Sequence, residues 1–294
     1  MTVSTGIALA FVAMLGWGFG DFLLQRSARK IGDWETLFVI SLFGSIVLAP
    51  FSLQKMITFF ATGIGLGQLV VLGCALVLFV AALFDLEALK EGKLSIVEPI
   101  WSLEIIFSAI LAFAVLGERL GFSQIVLIIL LILGLFLVAL REKDHLKLKS
   151  FFVEKGVFLA ASAAALMGTA NFLMGWSARI SDPISINFVV NVVLTVLCGL
   201  YLFFNGKLKK LFVDMKASPM LMVSMSISDT IAWVAFAFAM SLAPIGVAVA
   251  LSESYIIIAV ILGFFINHEK IQRHQKIGLI MAIITAVILA VITT

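Results

Sequence analysis

The chain has 294 residues, 63% of them hydrophobic and only 13% charged, with a formal net charge of +3. Soluble domains hold nearer half apolar residues and about a quarter charged ones, so a water-soluble globule is excluded. The small net charge says little about partners; its distribution along the chain says more.

Apolar runs of about the length needed to cross a bilayer recur throughout. They predict ten spans, at 5–27, 35–53, 64–89, 95–117, 121–140, 156–178, 184–205, 218–242, 245–267 and 272–292. No soluble domain fits in what remains. The first run lacks a basic leading region, and its counterpart at 156–178 is internal, so it reads as a span and not as a cleaved signal. It carries Gly16, Trp17, Gly18, Gly20 and Asp21. Cys74 and Cys198 lie inside apolar runs and read as small packing residues. The fourth run, within Leu94–Arg119, holds Glu98 and Glu104 although a lipid-facing helix would exclude them. The one charged connection, 141–155, reads as a solvated face that anchors topology, not as a nucleic-acid patch.

Laying Gly6–Ile40 over Gly156–Val190, a shift of 150, gives 12 identities in 35 positions, including Ser27-Ala28-Arg29 over Ser177-Ala178-Arg179. Shared apolar composition would give roughly three or four, so the chain is an internal repeat. Asp21 then falls opposite Asn171, and a second acid-bearing run, Val249–Lys270, follows the first at a shift of 151 with Glu269 over Glu118. Five spans per half force the second half into the membrane from the opposite side. The expected fold is all-α and integral to the membrane: ten transmembrane helices in two inverted five-helix repeats, 1–140 and 156–294, with 141–155 as linker. Connections after odd-numbered spans hold 17 basic residues, against Lys55, Arg119 and Arg179 on the other face. That bias predicts a cytoplasmic linker and external termini of a multi-pass cell-membrane protein.

The first helix, reading GWGFGDF, and the fourth, reading VEPIWSLEIIFSAILAFAVLGERL, resemble the drug/metabolite transporter superfamily, specifically its EamA-type ten-helix members. The second half follows the pattern more loosely, with HEK in place of LGER. The resemblance implies export or exchange of small metabolites, amino acids or drugs by alternating access, through a cavity between the halves. It also implies cytoplasmic termini, which conflicts with the charge count; the charge count is followed here.

Carboxylates inside spans carry the candidate chemistry, because an ionised one at mid-depth costs several kcal/mol unless paired, hydrated or protonated. Glu104, Asp229, Glu253 and Asp21 are the candidates for substrate or proton binding, with Asp229 and Glu104 nearest mid-depth. Each has a structural alternative in a neighbouring Ser, Asn or backbone partner. Glu98 precedes Pro99 and suits a helix N-terminus, and Glu118 and Glu269 are expected to cap the helices that follow them. No Lys or Arg falls at mid-depth, which favours amino-bearing, zwitterionic or neutral cargo over sugar phosphates. Asn171 and Asn187, the latter sharing a helix face with Asn191, either line the cavity or bond across helices. Trp17, Trp101 and Trp233 either stack on an organic cation or simply pack.

These residues predict a secondary active transporter, an exporter or exchanger of amino-bearing metabolites, coupled to protons or a counter-substrate. One chain is expected to suffice, because it already holds both inverted halves. A passive facilitator is one alternative. An intramembrane aspartyl protease using Asp21, in Gly18-Phe19-Gly20-Asp21, and Asp229 is another, although the order of its motifs would be reversed. No HExxH motif, phosphate loop or Cys/His cluster appears, so neither cofactor, metal, enzymatic activity nor nucleic-acid partner is expected.

Overall fold

The computed structural model describes residues 1–91, 100–140, 155–267 and 272–294, and every regular element among the described residues is helical. The first repeat holds α1 (Val3–Ile31), α2 (Asp33–Ala61), α3 (Leu66–Glu91), α4 (Glu104–Leu116) and α5 (Phe122–Ala139). The second holds α6 (Lys155–Ile180), α7 (Pro183–Phe204), α8 (Leu208–Ala217), α9 (Pro219–Leu242), α10 (Ile245–Ser252), α11 (Ile256–Asn267) and α12 (Arg273–Thr293). Among the described residues nine helical stretches are long and apolar enough to cross a bilayer; α4 is shorter and apolar, and α10 and α11 together make one crossing. The linker 141–154, Glu98 and Glu269 lie outside the described residues, as does the side chain of Asp21.

Local chemistry sets the ends of these helices. Thr2 caps α1 by accepting the amide of Thr5. Gly32 then takes φ 107°, a left-handed-side value that glycine alone adopts without strain, and so turns α1 sharply into α2. Asp182 caps α7, with Pro183 just inside the first turn where its missing amide costs nothing. Two elements differ from what the sequence predicts. The helix α2 runs through Pro50 and past Gln54 and Lys55 to Ala61, beyond the apolar run that ended at 53. The stretch read as a simple loop after the seventh span forms the amphipathic helix α8.

The second repeat is inverted with respect to the first. At one end of the bundle Gln124, in the first turn of α5, donates to Thr293 at the end of α12, at 3.0 Å. At the other end Gln275, in the first turn of α12, donates to the carbonyls of Val138 and Leu140 at the end of α5, at 3.1 and 3.2 Å. These two spans, the fifth of each half, are therefore antiparallel. The main packing pairs follow the same pseudo-twofold: α1 against α9, α6 against α3, α2 against α7 and α5 against α12. The hydroxyls of Ser45 and Thr195, which are 150 residues apart, meet at 3.4 Å, so the axis passes between α2 and α7 there.

Inside a bilayer apolar side chains gain little by leaving lipid, so close backbone approach must hold the helices together. The interior is accordingly rich in fully buried alanines such as Ala10, Ala13, Ala163, Ala232 and Ala248, while Ile110, Phe113, Ile280 and Val291 stay exposed on the outer surface.

Glu118 corrects one expectation. It does not cap the helix that follows it, whose start at Gly121 is already bonded by Gln124 at 2.8 Å. Inversion lays the start of α10 beside it instead, and its carboxylate accepts the amide of Ile245 at 2.9 Å. It also pairs with Arg179, whose guanidinium donates to the carbonyls of Met240 and Ala243, each at 3.0 Å. One ion pair thus ties the ends of α6 and α9 to the start of α10.

Candidate functional site

The fourth span of each half is interrupted at a similar level. In the first half, helical turns at Ile100 and Trp101 give way to a turn at Ser102–Leu103 before α4 begins at Glu104. In the second, α10 ends at Ser252 and a 3-10 turn, Glu253–Tyr255, precedes α11. Each break places a carboxyl group at a point where the helical hydrogen-bond ladder is disturbed. The two groups meet: Glu104 and Glu253, 7% and 9% exposed, lie within hydrogen-bonding reach of each other's side chains. Two carboxyl groups can share a hydrogen bond only when one of them carries a proton.

Asn171 on α6 donates to Glu104 Oε2 at 3.4 Å. One turn earlier, Gly168 lets α6 lie directly on the Glu104 backbone; a Cβ there would stand 2.6 Å from the Glu104 carbonyl oxygen. Asp85, on the last turns of α3, is close enough for its charge to act on both glutamates. The sequence reading missed Asp85, although it falls within the apolar run at 64–89. Its signal was available by the same criterion that singled out the others, a carboxylate inside a span.

A second group of polar and aromatic side chains lies on α1 and α9. Asp229 lies one turn from Trp233 along α9, close enough for the indole to act on its carboxyl group. Trp17 stands edge-on to Trp233 at 5.2 Å and to Phe236 at 4.9 Å, and Tyr255 completes the group at 6.3 Å from Trp17. Tyr255 belongs to the same 3-10 turn as Glu253 and so links the aromatic group to the carboxyl pair. Phe236 and Tyr255 carry no charge or motif that would have marked them in the sequence.

Asn187 donates to the carbonyls of Pro183 at 2.8 Å and Trp233 at 3.2 Å, binding α7 to α9. Asn191 donates to the Asn187 carbonyl at 2.8 Å and packs over Gly44 of α2. The indole nitrogen of Trp101 is buried without a hydrogen-bond partner among the described residues. Among the described residues no group of three or more His, Cys, Asp or Glu is placed to hold a metal ion.

Inverted five-span halves with broken, acid-bearing fourth spans define a multi-pass membrane protein of the inverted-repeat transporter class. The particular family follows from the sequence: a profile of the EamA-like transporter family matches residues 4–140 and again 154–291, and the chain belongs to that family. None of the curated proteins matches the chain. Among 29 chains of solved structures that match, one described as "Crystal structure of protein" superposes with a TM-score of 0.75 at 15% identity, covering 99% of this chain and 98% of its own. At that identity the likeness concerns the fold.

Proposed function

We propose that the protein is a secondary active transporter of small amino-bearing organic solutes, coupled to protons and working by alternating access. The observation that carries this reading is the Glu104–Glu253 pair. The two carboxyls come from equivalent breaks in the two halves, so a rocking of one half against the other alters their separation and with it their shared proton. A cationic amine and that proton then compete for the same oxygens. Asn171 holds one oxygen of Glu104 in place, and Asp85 adds negative charge that favours a cation over an anion. The aromatic group around Trp17 offers ring faces for the apolar part of the solute or for its cationic head.

The described basic residues at the cytoplasmic ends of α1 and α7 suit external termini in the cell membrane, as the loop charges predict. A reporter fused after Thr294 that is active only in the cytoplasm would overturn that orientation, without affecting the fold. One chain is the working unit, since the two halves supply both members of the pair. Mixing wild-type and inactive chains should therefore reduce activity only in proportion to the inactive fraction.

A thermal-shift screen of amines and amino acids in detergent identifies a ligand, and uptake into proteoliposomes with and without a pH gradient then tests the coupling. Glu104→Gln and Glu253→Gln keep shape and hydrogen-bonding capacity but remove titration. Uphill, pH-driven uptake should fall to the level of protein-free vesicles while the protein still inserts. Normal uphill transport by both variants would make the pair structural. Downhill flux in wild type that ignores the gradient would identify a passive facilitator.

A further inference from the structure

The helix α8 joins the end of one span, α7, to the start of the next, α9, and so lies at the membrane surface. Its sequence, LKKLFVDMKA, has one inward apolar face and two further apolar residues among its lysines. Leu208, Leu211 and Met215 recur at helical spacing and pack inward; Leu211 is fully buried with Ile31, Phe38 and Met222. Phe212 flanks that inward face and Val213 lies nearly opposite it, 52% and 66% exposed, and Phe203 and Phe204 at the end of α7 are 65% and 78% exposed. Lys209, Lys210 and Lys216 are exposed beside them.

The nearby cations are already engaged. Lys207 pairs with Glu35 at 3.3 Å and lies over the Tyr201 ring, and Lys30 bonds Ser218. Among the described residues no carboxylate pairs with Lys209, Lys210 or Lys216, and Asp214 is the one acid on the helix. The corresponding connection in the first half, 62–65, has no helix and no charged residue. The pseudo-symmetry of the spans therefore does not require α8.

We propose that α8 is a docking surface for anionic phospholipid. Phe203, Phe204, Phe212 and Val213 enter the acyl boundary, while Lys209, Lys210 and Lys216 extend along it to the headgroup phosphates. Exposed aromatic and aliphatic side chains on and next to the end of a span have lipid as their surroundings. Three cations without a carboxylate partner among the described residues at that level select the negatively charged lipids, and the apolar contacts set this surface apart from a simple phosphate site.

The purified full-length protein in neutral detergent provides the test, with its unfolding midpoint followed by tryptophan fluorescence. Phosphatidylglycerol, phosphatidylcholine and inorganic phosphate are added separately at equal concentration. The midpoint should rise with phosphatidylglycerol well beyond its response to the other two. The Lys209→Gln/Lys210→Gln/Lys216→Gln variant should lose that difference while keeping the wild-type midpoint in phosphatidylcholine. Phe212→Ser should reduce the phosphatidylglycerol shift in part. Equal stabilisation by phosphatidylcholine, the full effect from inorganic phosphate, or a triple variant that keeps the phosphatidylglycerol-specific rise would each overturn the proposal. Should the triple variant unfold in detergent, native mass spectrometry of the wild type decides: retained phosphatidylglycerol adducts over phosphatidylcholine support the proposal, and equal retention overturns it.

Discussion

Asp182, at the membrane edge, shows how one side chain fixes a helix start. Its carboxylate accepts the amides of Ile184 and Ser185 at 3.0 and 2.9 Å and the Ser185 hydroxyl at 2.6 Å. Partial burial acts to raise its pKa, but the bonds from Ser185 and the nearby Lys55 outweigh that and hold it below the usual carboxylate value. A lowered folded-state value means the stabilisation is complete above the unfolded value of about 4 and is lost as pH falls through the folded one. Asp182→Ala should cost about 1 kcal/mol at neutral pH, and the difference from wild type should vanish in acid; unfolding in detergent across pH measures both. Lys55, 3.4 Å away but 59% exposed, should contribute well under ~1 kcal/mol, so Lys55→Ala should be nearly silent in the same assay. Asp85 allows a test inside the membrane. If its charge favours cationic cargo, Asp85→Asn should weaken amine binding, raising KM more than it lowers kcat, while Glu104→Gln abolishes coupling.

Among the elements, the first and fourth spans of opposite halves meet through a matched pair of glycines. Gly18 faces Ile258 of α11, where a Cβ would stand 2.5 Å from the Ile258 Cβ. Gly168, its repeat counterpart 150 residues on, faces Phe107 of α4 with a corresponding distance of 2.6 Å. Phe107 and Ile258 are themselves counterparts at a shift of 151. Position 168 has the less room, because the fixed carbonyl of Glu104 is also 2.6 Å from such a Cβ. Gly168→Ala should cost on the order of 1–3 kcal/mol of overpacking and disturb the Glu104–Glu253 geometry, seen as lower thermal stability together with an altered pH profile of uptake. If Gly168→Ala matches wild type in both, the close contact is not needed.

At the scale of the whole molecule, inversion makes a prediction that does not depend on cargo. The Ser45 and Thr195 hydroxyls meet near the pseudo-twofold axis, and Thr195 also donates to Ser41 at 3.0 Å. With Cys74 and Cys198 first replaced by alanine, Ser45→Cys and Thr195→Cys together should cross-link within one chain on mild oxidation. Cleavage in the 141–154 linker would then leave the halves joined until reduction. Separation of the halves without a reductant would contradict the placement of the axis.

Much of this was legible in the sequence. Apolar runs of bilayer length and an odd number of spans per repeat determine ten crossings and their inversion, because lipid demands internally bonded helices and chain continuity determines direction. The same scarcity of charge made Glu104 and Glu253 stand out individually. That they meet was not legible, since the contact joins breaks in opposite halves and depends on helix packing that no local pattern encodes. Glu118 shows the same limit. Its sequence position suggests a cap for the next helix, yet the fold brings Ile245, 127 residues away, to its oxygens. Asp85, Phe236 and Tyr255 joined the candidate site only once three separate spans were packed together. The sequence by itself determined the membrane, the repeat and the list of costly groups, because burial in lipid is a property of each run. Which of those groups compensate one another was decided by the tertiary structure alone, because pairing depends on distances between helices far apart along the chain.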